Sequence, residues 1–258
     1  VKISKIILYD EPSVSKLDLK NIQKFIMQTF GINSEIRENI FKKLNEEEYK
    51  KIANTTVLDL KKPFQKHMTS FKEILTESEN VDMSREKEIP IYDGIEMNKI
   101  IEEIIPIPEN IENILHIIFT NKLTGTFDFE DYKYHARAWV GSNPIIISTT
   151  GIIEAPAKPK QYYMDLVTNF SNESEETIRE KYKGEFLEYD DDRLPKIIEG
   201  YLLQSIMYYE TGDAFCNDIQ CRLFNAHWQK DLFISQIKNQ SLCNQHSKIL
   251  NEMKNSTP

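Results

Sequence analysis

All three cysteines of this 258-residue chain lie at or beyond position 216, and with one histidine they give Cys216-x4-Cys221-x21-Cys243-x2-His246. An ion bound by all four would bring residues 216 and 246 together, so this spacing restricts the path of the whole C-terminal segment. Three thiolates and one imidazole suit tetrahedral Zn²⁺, and four protein ligands leave no open position for a substrate or an attacking water, which makes such a site structural. The fourth ligand is the unusual one. A second Cys-x-x-Cys pair would be the common arrangement; here His246 must serve, with His227 as a rival. The competing readings are three free buried thiols and a Cys216–Cys221 disulfide, with the third thiol left over.

The first residues, Val1-Lys2-Ile3-Ser4-Lys5, are interrupted by charge and carry no small-residue cleavage site. We therefore expect no export signal and a reducing cytoplasmic setting, where clustered thiols bind metal more often than they pair. No apolar run approaches a membrane span. A net charge of −9 argues against holding a nucleic-acid backbone through bulk charge. With 40% hydrophobic and 28% charged residues, the chain can bury an ample core and does not depend on a metal to fold.

Hydrophobic periodicity predicts an α/β fold, a mixed sheet with flanking helices. Lys2–Tyr9 reads as a buried strand. Leu17–Phe30 is helical through Leu19, Ile22, Phe25, Ile26 and Phe30, Gly31 stops that helix, and Ile32–Ile36 is a second strand, giving a β-α-β opening. From Phe41 to Met97 the pattern loosens, with helical stretches at Glu46–Ala53 and Phe64–Leu75 and a surface excursion at Glu77–Glu88. Asn98–Ile105 is a helix closed by Pro106 and Pro108. Strands follow at Leu115–Thr120, Tyr132–Val140 and Pro144–Thr149. Asn121–Thr126 reads as a turn that lacks the glycines of a phosphate loop. Asp190–Asp192 offers N-cap carboxylates rather than a calcium loop. The helix they introduce carries an apolar stripe at Ile198, Tyr201, Leu202, Ser205, Ile206 and Tyr209 and ends at Gly212. Ser205 has no nucleophile-elbow context.

Together these residues resemble the archaemetzincins, a branch of the metzincin zinc proteases. That family is described by His-Glu-x-x-His-x-x-Gly-x-x-His-Cys-x4-Cys-x-Met and, after about seventeen residues, Cys-x-x-Cys, whose cysteines bind a second, structural zinc. Gly212, Cys216, Cys221 and Cys243 fall on the motif glycine and the first three cysteines without a gap. The ligand histidines fall on Ser205, Tyr209 and Phe215, the general-base glutamate on Ile206, the methionine on Leu223 and the last cysteine on His246. Tyr134–Ala138 looks like the family's Phe-Gly-x-Ala strand region and Ile145–Thr149 like the apolar strand after it. The likeness covers about residues 115–250 and most resembles a divergent archaeal group.

The resemblance implies a single metzincin-like domain over residues 1–258, with a polar helical insertion at 41–97 and a zinc-binding C-terminal segment at 213–250. It implies a structural Zn²⁺ on Cys216, Cys221, Cys243 and His246, no catalytic residues, and a cleft left to bind a peptide or protein. An active hydrolase is the second expectation; its ligands would have to come from His116, His135, His227, Glu154, Glu199, Glu210 or Asp213. A third is a recognition loop at Glu154–Lys160, stiffened by Pro156 and Pro159 and charged by Lys158 and Lys160, against which stands an ordinary sheet-to-helix connection.

Overall fold

The computed structural model describes residues 3–63, 65, 69–78, 89–168 and 174–255. Strand β1 (Lys5–Tyr9), helix α1 (Leu19–Phe30) and strand β2 (Asn33–Arg37) form the expected β-α-β unit, β1 and β2 running parallel. Asp18 starts α1 by accepting the amides of Lys20 and Asn21. Gly31, at φ 73, ends it in the left-handed conformation that costs glycine least. Strand β4 (Ile114–Thr120) pairs with the other side of β1, and β8 (Ile145–Ser148) with β4, all parallel; β7 (Trp139–Val140) closes the edge antiparallel, in the order β2-β1-β4-β8-β7. A smaller sheet joins β3 (Ile91–Asp93), β5 (Leu123–Asp128) and β6 (Lys133–Ala136).

The main sheet is buried on both faces, as parallel sheets are, and the alternation of its strands sorts two cores. Ile6, Leu8, Leu115, Ile117, Phe119, Ile145 and Ile147 meet α1, the long helix α8 (Leu194–Thr211) and the C-terminal helix α10 (Asn244–Asn255). Ile7, Tyr9, Ile118 and Ile146 point the other way, onto Ile40, Phe41, Ile52, Met97 and Ile101. The latter group comes from helices α2 (Glu46–Ala53) and α4 (Gly94–Ile104) and the turn before α2, so residues 41–97, polar on average, supply the cover of one sheet face.

Four local expectations change. Asn121–Thr126 is not a turn: only its first two residues are, and from Leu123 the chain is strand β5, its polar threonines facing partners inside the smaller sheet. Tyr132–Val140 is not one strand but two, β6 and β7 in different sheets. The Asp190–Asp192 carboxylates do not cap α8, whose N-cap is Arg193; they take Ser15, the Arg193 guanidinium and Lys16 instead. Of the expected surface excursion, residues 79–88 lie outside the described residues, and Glu77 is buried, paired with buried Lys122 at 2.6 Å and accepting from Tyr92. Of the helix expected at Phe64–Leu75, residues 64 and 66–68 lie outside the described residues, and its second half falls in α3, Phe71–Ser78.

Three further helices precede α8 and escaped the periodicity reading: α5 (Thr149–Glu154), α6 (Lys160–Val167) and α7 (Glu175–Lys181). After it, α9 (Gln229–Phe233) runs into a wide turn at Ile234–Asn239, where Gln236 inserts against Gly200 of α8. No helix among the described residues is long and apolar enough to cross a membrane.

Candidate metal centre and the groove beside it

The four C-terminal ligand candidates converge: one donor atom from each of Cys216, Cys221, Cys243 and His246 lies within 4.8 Å of the others. Gly212, at φ 78, turns the chain out of α8. Cys216 then donates its amide to Leu223 O at 2.9 Å, and Cys221 to Asp218 O at 2.9 Å, closing a tight loop. Arg222 N donates to Ser241 O at 2.8 Å, which brings the second half of the motif alongside the first. His246 sits in the first turn of α10, three residues beyond Cys243, so both reach the same point.

Cys216 Sγ and Cys243 Sγ are 4.0 Å apart, Cys221 Sγ and His246 Nδ1 3.7 Å, and Cys243 Sγ and His246 Nδ1 3.0 Å. Zinc legs of about 2.3 Å to sulfur and about 2.0 Å to nitrogen give tetrahedral edges of about 3.8 and 3.5 Å, so the set fits zinc once the Cys243–His246 edge opens slightly. The amides of Asp218 and Cys243 point at Cys216 Sγ and Cys221 Sγ, each at 3.4 Å, an arrangement that stabilises thiolates. Without a cation Cys221 resists ionisation and Cys243 favours it. Burial, with the neighbouring thiols adding to it, pushes the Cys221 thiol up to about 12, while hydrogen bonding from the His246 backbone and imidazole holds Cys243 down at about 7. A divalent ion removes that conflict by displacing the protons. All three cysteines are free thiols, and His227 stands exposed outside the cluster.

The α8 positions carry no equivalent donor set. Ser205 is buried and spends its hydroxyl on Leu202 O at 3.1 Å; Ile206 lies in the core. Tyr209 donates to Glu112 O at 2.7 Å, and Phe215, 43% exposed, leans on Trp139. The alternative ligands are scattered. His116 stacks on Tyr9 inside the sheet: Nε2 faces Glu109 O at 3.0 Å, which can only accept, so Nε2 donates and Nδ1 accepts from Tyr9. Burial lowers its pKa, which favours that neutral form. Glu154 holds Lys158, Glu199 holds Arg222 and Lys196, and Glu210 accepts the Ile3 amide at 2.6 Å. Asp213 forms a local turn with Thr211. The Glu154–Lys160 segment is pinned as a connection, Ala157 exchanging backbone hydrogen bonds with His227 and Gln229.

Sequence reading missed a second group. On the β5–β6 hairpin, Asp128, Asp131 and His135 bring donor atoms within 4.8 Å of one another, and Asp131 accepts from His135 Nε2 at 2.7 Å. The Asp-x2-Asp-x3-His spacing was the available signal, and it was hidden because β5 read as a turn.

His135 also borders a groove of about 750 Å³ lying between the β7 edge and the C-terminal half of α8. Trp139, Val140, Gly141 and Ser142 form one wall. Tyr208 and Phe215 continue that wall, Trp139 packing on them at 5.5 Å and 6.3 Å between ring centroids, and Tyr201 also lines the groove. Arg137 and His227 are also among the lining residues, with Ile95, Asn98 and Asn225.

A family model described as "Probable metallopeptidase family (DUF6775)" matches residues 2–253. Among solved structures, the crystal structure of archaemetzincin from Methanopyrus kandleri is similar over 97% of this chain and 95% of that one, with 10% sequence identity and a TM-score of 0.41. No curated protein matches the chain.

Proposed function

The chain belongs to the probable metallopeptidase family, and from that membership we propose that it is a peptide-binding scaffold that keeps a structural zinc and has given up hydrolysis. The observation that carries the reading is the contrast between two sets of positions. Cys216, Cys221, Cys243 and His246 converge as a closed four-ligand set, whereas Ser205, Ile206, Tyr209 and Phe215 offer neither three N/O ligands nor a general base. A zinc ion held by the first set supplies a cross-link between the loop after α8 and the last helix. A reducing, cytoplasmic setting keeps its thiols available, and one α/β unit spanning the chain carries both features.

The groove takes an extended peptide by strand addition. β7 lies at the edge of the main sheet, and its backbone beside the groove can add a strand while flanking pockets receive alternate side chains. Hydrolysis remains the second reading because His135, which lines the same groove, groups with Asp128 and Asp131, and three such ligands would leave coordination positions open. Metal analysis combined with a peptide-library digest separates the two. We expect one zinc per chain and no cleavage that chelation abolishes. Two metals per chain with chelator-sensitive cleavage, the C-terminal tail still folded, would overturn the scaffold reading.

A further inference from the structure

Resting on the peptide-binding reading, we propose that the groove selects peptides in which an apolar, preferably aromatic residue is followed closely by a carboxylate, and that Arg137 reads the charge. The chain has 41 acidic residues and a net charge of −9, yet no aspartate, glutamate or lysine is among the residues lining this groove. Two carboxylates adjacent to lining residues are engaged: Asp131 on His135, and Glu154, next to Ala155, on Lys158.

Arg137 is the strong cation of the lining, and it is held in place. Its amide donates to Thr124 O at 2.8 Å, its carbonyl accepts from Thr124 Oγ1 at 3.3 Å, and its Nε donates to Thr126 Oγ1 at 2.8 Å. The backbone and one nitrogen of the fork are therefore fixed, while the two terminal nitrogens make no ion pair or hydrogen bond among the described residues. A planar fork with two free parallel donors matches a carboxylate, and a half-buried position beside the β7 wall weakens solvent screening. Two residues on, Trp139 opens the aromatic wall shared with Tyr208 and Phe215, both of them substantially exposed. Side chains two apart on an extended guest share a face, which suits one ring in that wall and one carboxylate at Arg137.

The test is fluorescence anisotropy on the full chain as purified, using three fluorescein-labelled extended peptides that differ only at the second residue after a central phenylalanine: glutamate, glutamine or lysine. The glutamate peptide should bind about tenfold tighter than the glutamine peptide, and the lysine peptide weakest. Arg137→Gln, with zinc content retained, should erase the difference between glutamate and glutamine, and Arg137→Lys should restore part of it. Equal affinities for the three peptides in the unmodified protein overturn charge selection while peptide binding stands. A preference for glutamate that survives Arg137→Gln overturns the role of Arg137. No binding of any of the three by zinc-replete protein overturns this proposal together with the reading beneath it.

Discussion

Cys221 is fully buried beneath His246, whereas Cys216 and Cys243 keep partial access to solvent. Any of the four ligands should nevertheless be decisive for metal retention, because three N/S donors no longer enclose the ion. Cys216→Ser and His246→Ala should each lower zinc affinity by at least tenfold and leave substoichiometric zinc on the purified protein, measured by metal analysis after dialysis. Tyr209→Phe, which removes the hydroxyl that bonds Glu112 O and interacts with Asn143, should leave zinc content unchanged. A metal lost with the Tyr209 hydroxyl would mean that α8 still takes part in coordination. The convergence of the four side chains was legible in the sequence because short loops between Cys216 and Cys221 and between Cys243 and His246 convert spacing directly into proximity. Arg137 was not. Nothing local distinguishes it from other arginines; its importance comes from what lies around it, namely a lining without carboxylates contributed by residues from 95 to 227.

The stretch Tyr132–Val140 shows why elements were harder to read than ligands. Its alternation is continuous, but the chain leaves one sheet and enters the other at Arg137. Thr124 claims the Arg137 backbone on one side, and Gly151 of α5 lies against its carbonyl on the other, so close that a Cβ there would overlap the oxygen. The break is therefore imposed by contacts distant in sequence, which periodicity does not encode. Gly151→Ala should force α5 away from this crossing and destabilise the protein by about 1–3 kcal/mol, the usual cost of overpacking, read as a lower denaturation midpoint with an unchanged slope. An unchanged midpoint would show that α5 is not held against the crossing. By contrast, α1 and α8 were found nearly to the residue, since a long apolar stripe followed by glycine leaves few alternatives.

For the molecule as a whole, the C-terminal segment is held at more than one point. Leu242, Ile249, Leu250 and Met253 pack on the same core as α1 and α8, and Lys254 donates to Gln28 O at 2.9 Å. The main sheet meets a second core on its other face, and none of the four cluster residues belongs to it. Removing zinc should therefore raise hydrogen exchange across residues 213–255 while β1, β4 and β8 stay protected, with most helical signal retained. Cooperative loss of the central strands on chelation would show instead that the ion supports the entire fold.

The edge strand facing the groove is only two residues long, and Gly141, at φ 91, turns the backbone away immediately after it. A guest strand thus finds few rungs to zip onto, and the ladder alone cannot hold it for long. Partners would come and go quickly, and choosing among them would fall to the side chains on either bank rather than to the backbone they share.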